Sequence, residues 1–205
     1  NGSEPWRIPS MQDYPAIVPP IVNKAPEEGE FMPYKRDERL VRGWAFPGKK
    51  GLEHRIGGLE KDHLKGSISY DPANHQEMVL TRAAKVARVA DDLPSPTIDG
   101  AADADLLVIG WGGTRGHLQN AVNEMRREDK KVSLCHFNYI NPLPKGVRDI
   151  FAKFRRIVVC ELNEGQFAAY LRQNFQEFPY EQYNKCEGLP FTVAELKQKF
   201  ESLLK

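Results

Sequence analysis

LLVIGWGGTRG, residues 106–116, is an uncharged apolar run that breaks into glycines and continues into charged, helix-compatible sequence. A run of this length is a strand buried on both faces. The segment after it, about 117–127, reads as a helix. VSLCHF (132–137) is a second strand. A turn at Asn141-Pro142-Leu143-Pro144 leads to a helix with Val147, Ile150, Phe151 and Phe154 at i, i+3, i+4 and i+7. IVVCE (157–161) is a third strand, and about 167–175 another helix. A short strand is expected near 183–186. Thr192-Val193-Ala194-Glu195 is a capping box that opens a last helix running through Leu204. Strands that alternate with amphipathic helices predict an α/β fold with three α/β/α layers and a mostly parallel sheet.

Upstream, the chain changes character. Eleven of its 15 prolines precede residue 100, and eight of those fall between Pro5 and Pro47. Proline has no amide donor and turns the preceding residue away from helix, so residues 1–50 are extended. They also carry Trp6, Ile8, Tyr14, Ile17, Val18, Ile21, Val22, Phe31, Tyr34, Trp44 and Phe46. That is too much apolar surface for a disordered linker, and it predicts a segment draped over another surface. Residues 51–70 suggest a compact glycine-rich loop and a strand over 67–70. Asp71 suits an N-cap and Pro72 a first helical position, for a helix over about 72–92. Pro94 and Pro96 then mark a boundary, giving a connector over 1–95 and an α/β domain over 96–205.

Composition narrows the function. With 29 Lys+Arg against 28 Asp+Glu, the net charge is +1, without the basic excess of a nucleic-acid binder. The apolar runs fall far short of the roughly 20 residues that cross a bilayer. No basic-then-apolar leader opens the chain, and its first residue is Asn1, so a piece of a longer cytoplasmic polypeptide is expected. Cys135, Cys160 and Cys186 form no CxxC pair, and reduced thiols with no metal role are expected.

The motifs are incomplete as active sites. In 110–116, Gly110 and Gly112 match the first two positions of a dinucleotide fingerprint, but the sixth position is Arg115. The favoured reading is a tight turn. The alternative is an anion nest on Gly112, Gly113 and Thr114 that binds coenzyme A or a nucleotide. Glu161, Asn163 and Gln166 follow the third strand, at the usual ligand crevice of an α/β sheet, as binding or interface candidates; the favoured role for Glu161 and Asn163 is hydrogen bonding to loop backbone or to a neighbouring chain. His54 and Glu60, in the glycine-rich loop, are candidates for acid–base or polar binding work. No HxxxH, HExxH, GxSxG or P-loop lysine motif is present.

Eight segments in order then carry a resemblance: EPWRIPS (4–10), FMPYKRD (31–37), PGKKGLEHRIGGLEKD (47–62), DPANHQEMVLTRAAK (71–85), GWGGTRG (110–116), YINPLP (139–144), ELNEGQ (161–166) and GLPFTVAEL (188–196). Together they resemble the C-terminal third of the alpha subunit of 2-oxoglutarate:ferredoxin oxidoreductase (2-oxoglutarate synthase). The resemblance implies a thiamine-diphosphate enzyme that decarboxylates a 2-oxoacid, passes two electrons through an iron–sulfur cluster to ferredoxin, and transfers the acyl group to coenzyme A. It implies a domain like the transketolase C-terminal domain from about residue 96. It also implies a connector before that domain, leaving an upstream pyrimidine-binding domain. The beta subunit would hold the magnesium diphosphate. No catalytic residue is carried onto this chain, whose role is expected to be structural and at subunit interfaces, inactive alone.

Overall fold

The computed structural model describes residues 8–205; Trp6 and the start of the 4–10 segment lie outside them. The described chain falls into two units, 8–89 and 90–205.

The unit from Ala90 is the α/β part. Its elements are β3 (Ile98–Asp99), β4 (Leu106–Trp111), α2 (Arg115–Arg127), β5 (Val132–Phe137), α3 (Val147–Phe151), β6 (Ile157–Glu161), α4 (Gln166–Asn174), β7 (Tyr180–Asn184) and α5 (Val193–Leu204). The sheet order is β3-β5-β4-β6-β7, parallel except for β3, which pairs antiparallel to β5. Along β4, successive side chains enter opposite cores, as the two-residue period of a strand requires. Leu107 and Ile109 pack with Val147, Phe151, Phe167 and Leu171, and Leu106 and Val108 pack with Leu118, Val122, Met125, Leu196 and Phe200. So α3 and α4 cover one face, and α2 and α5 the other. Each fully buried aliphatic side chain here contributes about 1.5–3 kcal/mol. The buried hydroxyl of Ser133 is satisfied by donating to Ala101 O at 2.7 Å.

The predicted helical stripe holds, since Val147, Ile150, Phe151 and Phe154 are all buried, although α3 itself spans only the first three of them. The capping box is present: Thr192 Oγ1 accepts from Glu195 N, and Glu195 Oε1 accepts from Thr192 N. One expectation for this unit needs correction, and one element had no sequence signal. The last strand begins at Tyr180 rather than near Tyr183, because Tyr180 pairs with Ile157 at the start of β6. The edge strand β3 has only two residues, too few to give a sequence pattern.

The other unit contains β1 (Ile21–Val22) and β2 (Trp44–Ala45), a short parallel pair, and α1 (Pro72–Arg88). Asp71 Oδ1 accepts from Ala73 N at 2.9 Å, with Pro72 in the first turn, as predicted. Residues 67–70 form no strand; Ile68 makes one isolated bridge to Lys61. The loop is held by polar bonds instead. Lys61 Nζ donates to Gly57 O at 2.8 Å and to Leu59 O. Asn74 donates to Lys61 O at 2.9 Å and accepts from His63 N at 2.9 Å. Of α1, only Asn74 and Met78 are buried, while Val79, Leu80 and Val86 face outward.

Candidate functional site

From β4 the chain moves to β5 on one side, then returns to β6 on the other side of β4. The helix after β4 and the helix after β6 lie on opposite faces, so their starts diverge and leave a crevice outside the strand ends. A cleft of about 400 Å³ lies there, lined by Trp111, Gly112, Gly113, Thr114, His117, Leu162, Asn163 and Pro190.

The two helix starts bordering this crevice differ chemically. Glu161 ends β6 fully buried, and its Oε1 accepts from Ala168 N at 2.9 Å. Its Oε2 accepts from Phe167 N at 2.8 Å and from Trp111 Nε1 at 3.2 Å. Asn163 Oδ1 accepts from Gly165 N at 2.7 Å and from Gln166 N at 3.0 Å. The amides that open α4 are therefore already engaged by the chain's own carboxylate and amide groups. Gly165 sits between them at φ +94°, a backbone conformation that residues with a Cβ rarely adopt.

At the start of α2 no side chain caps the amides. Thr114 Oγ1 donates back to Trp111 O at 2.9 Å. Gly112 adopts φ +58°, and the spaces beside Gly112 and Gly113 are open. Gly110 is instead tightly packed, and a Cβ there would meet Leu118 Cδ1 at 2.2 Å and Thr114 Oγ1 at 2.8 Å. That glycine lets strand and helix approach closely, as the turn reading expects. His136 bonds Gly112 O through Nε2 at 3.1 Å, tying β5 to the same turn.

Thus Gly112, Gly113, Thr114 and Asn163 line one cleft, and Glu161 lies beneath it holding two strand ends together. Gln166 is exposed in the first turn of α4 and does not line the cleft. His54 and Glu60 belong to the other unit and have separate partners. His54 Nδ1 bonds Leu52 O at 2.8 Å, and its ring meets Phe31 edge-on at 5.6 Å. Glu60 pairs with His75 at 2.7 Å and Arg82 at 3.1 Å, and these bonds, Arg82 first, hold its carboxyl below the usual range. Sequence reasoning did not select Trp111, His117, Leu162 or Pro190. His117 falls one helical turn after Gly113, a spacing that could have found it, whereas Pro190 arrives from a distant loop with no local signal.

No protein-family model matches the chain. It is 41% identical over 201 residues to the 2-oxoglutarate oxidoreductase subunit KorA of Mycobacterium tuberculosis, covering 96% of this chain and 29% of that protein. It is 27% identical over 180 residues to the alpha subunit of 2-oxoacid:ferredoxin oxidoreductase 1 of Aeropyrum pernix, covering 84% of this chain and 28% of that one. A solved structure of 2-oxoglutarate:ferredoxin oxidoreductase from Magnetococcus marinus, with 2-oxoglutarate, coenzyme A and succinyl-CoA bound, matches with a TM-score of 0.85 at 26% identity, over 96% of this chain and 34% of that one. The chain thus spans about a third or less of the length of these proteins. Over nearly its whole length, it is related to part of the alpha subunit of the 2-oxoglutarate and 2-oxoacid:ferredoxin oxidoreductases.

Proposed function

We propose that this chain is the C-terminal portion of the alpha subunit of a thiamine-diphosphate-dependent 2-oxoacid:ferredoxin oxidoreductase acting on 2-oxoglutarate in the cytoplasm. The whole enzyme converts the 2-oxoacid and coenzyme A to acyl-CoA and CO2, and two electrons pass to ferredoxin. The observation that carries this reading is the 41% identity sustained over 201 residues. Residues 96–205 are then the transketolase C-terminal-like domain, and 1–95 the connector from an upstream pyrimidine-binding domain.

The donor chemistry of this chain does not fit the enzyme's inorganic groups. Cys135 and Cys160 are buried thiols whose burial pushes them toward the protonated form, and among the described residues no three His, Cys, Asp or Glu side chains converge. This chain's contribution is positional. The Glu161 network fixes the cleft, and the apolar side chains Ile8, Met11, Ile17, Val18, Leu80 and Val86, all exposed, are suited to packing against the upstream domain and the beta subunit.

The test is co-expression of the complete alpha subunit with its beta partner, measuring reduction of ferredoxin or a viologen dye that requires both 2-oxoglutarate and coenzyme A. Activity that needs both substrates and disappears when residues 1–205 are deleted supports the proposal. A complex that assembles yet turns over no 2-oxoacid refutes it.

A second reading, a free-standing domain that holds a small anion on Gly112, Gly113 and Thr114, is favoured by the uncapped start of α2. It predicts that coenzyme A or a nucleotide raises the melting temperature of the 205-residue chain. A flat response discards it.

A further inference from the structure

The five-stranded sheet ends differently on its two sides. One edge is β3, only two residues long, whose Asp99 carboxylate is held by Arg126 at 2.8 Å. A short strand that carries a charge is a blunted edge. The other edge is β7, five residues in unbroken parallel register with β6. Its sequence, Tyr180-Glu181-Gln182-Tyr183-Asn184, holds no lysine and no proline. Among the described residues, no strand pairs with its far side. We propose that β7 is a self-association edge, where two copies of this chain pair antiparallel about a two-fold axis through Gln182 and form one ten-stranded sheet.

The ladder to β6 decides which backbone groups remain available. Lys185 N donates to Glu161 O, while Glu161 itself lies opposite Asn184. In a parallel pair the bonding residues of a strand alternate, so Glu181, Tyr183 and Lys185 turn toward β6. Tyr180, Gln182 and Asn184 therefore turn their N–H and C=O groups outward. Tyr180 O accepts from Arg172 Nη2 at 2.9 Å, and a carbonyl keeps a second lone pair. Such a row is a template for another strand.

Register and charge select a second copy as the occupant. Outward residues must oppose outward residues, so a two-fold axis has to pass through a residue of β7 rather than between two. An axis through Gln182 uses the whole row: Gln182 faces its copy, and Tyr180 faces Asn184. It also sets Glu181, the only charged residue of the strand, against Tyr183. An axis through Glu181 would oppose two carboxylates, and axes further along pair fewer of the outward groups. Burial holds the Tyr183 phenol above its ordinary range, so its hydroxyl keeps the proton that it can donate to the facing carboxylate. The edge is thus self-complementary, as a two-fold contact requires.

The experiment uses the full chain with Cys186→Ser as its background, since Cys135 and Cys160 are buried. Gln182→Cys, Asn184→Cys and Gln182→Pro are compared, each checked for native circular dichroism. Directly opposed residues of a hydrogen-bonded antiparallel pair lie about 5.5 Å apart at Cα, within the roughly 4.4–6.8 Å that a disulfide spans. Asn184 and its copy would stand about 14 Å apart along the seam. Gln182→Pro removes an outward amide and leaves the bonds to β6 in place, which an edge strand tolerates.

Mild oxidation with copper–phenanthroline is expected to link Gln182→Cys into a dimer on non-reducing gels and to leave Asn184→Cys unlinked. Light scattering is expected to find Gln182→Pro at half the mass of the background protein. No dimer from Gln182→Cys, equal linking of the two cysteine variants, or an unchanged mass for a natively folded Gln182→Pro overturns the proposal. Linking of Gln182→Cys to a different polypeptide overturns it too, and gives the edge to a foreign strand. Where the proline variant loses native circular dichroism, the two cysteine variants decide the matter alone.

Discussion

The indole of Trp111 donates from Nε1 to Glu161 Oε2 across 3.2 Å, joining the carboxyl end of β4 to that of β6. These two strand ends flank the crevice, so one buried carboxylate sets the spacing of its walls. The same carboxylate also receives the opening amides of α4, and its charge is compensated by three N–H donors and a helix start rather than by a cation.

Glu161→Gln should therefore destabilise the chain although it preserves shape. One oxygen becomes an NH2 facing N–H donors, leaving buried groups unpaired. The expected loss is about 2–4 kcal/mol in a urea melt, with a change in Trp111 fluorescence. A variant within 0.5 kcal/mol of the parent (about the scatter of a surface change) would show that Glu161 does not hold the strand ends.

Gly110→Ala and Gly113→Ala should behave differently despite being the same change three residues apart. At Gly110 the new methyl would press on Leu118 and Thr114, costing about 1–3 kcal/mol. At Gly113 there is open space, and stability should stay within about 0.5 kcal/mol. Equal losses in thermal melts would mean that the turn is not packed as described.

The sequence made the central strands legible because residues 106–111, 132–137 and 157–161 are mostly apolar, as burial on both faces requires, and the capping box located α5. It also put Glu161 and Asn163 after the third strand with loop backbone or a neighbouring chain as partners; backbone amides do bond both, and the Trp111 indole is a further partner of Glu161. What escaped it was non-local. Glu60 meets His75 and Arg82 only because the loop folds back on α1, and Pro190 reaches the cleft from the approach to α5. The stretch 67–70 alternates like a strand, yet Ser67 O accepts from Asp62 N and Ser69 N donates to Glu60 O within its own loop, so no sheet takes it up.

The thiols should separate by burial. Cys135 is pushed up to about 12 by desolvation, and Cys160, deeper still, is also raised, whereas Cys186 is exposed. Iodoacetamide at pH 8 should label Cys186 alone in the native chain and all three cysteines in denaturant, read by mass spectrometry. Native labelling of Cys160 would contradict the packing around β6.

Leu80 and Val86 are exposed on α1 by 58% and 47%. Leu80→Glu with Val86→Glu should leave the melt of the 205-residue chain within about 0.5 kcal/mol and, on the function proposed above, abolish co-purification of the complete subunit with a beta subunit. An intact complex would assign the interface to other residues.

Stability should also depend on pH with opposite signs at the two ends of the scale. The carboxyls of Glu60, Asp62 and Glu195 lie below their ordinary values of 4.5, 3.8 and 4.5, the first through Arg82 and His75, the second through the amides of Lys65 and Leu64, the third chiefly through Lys185. Each binds its proton more weakly when folded, so its contribution is full above the ordinary value and fades as pH falls through the folded one. Lys185 and Lys197, bonded first to Glu195 and Glu128, are raised above 10.5, so their contributions are full below that value and fade as pH rises past the folded one. Denaturant midpoints should therefore form a plateau between these limits, falling on the acid side below about 4.5 and on the alkaline side above about 10.5. Glu195→Gln removes one carboxyl and takes the bonded partner from Lys185, so it should shallow both limbs, whereas Glu60→Gln should shallow only the acid one. Apart from Lys185 these groups are partly open to solvent, and 1 M salt should shrink the differences. An acid limb unchanged in both variants would show that these pairs add nothing to folding.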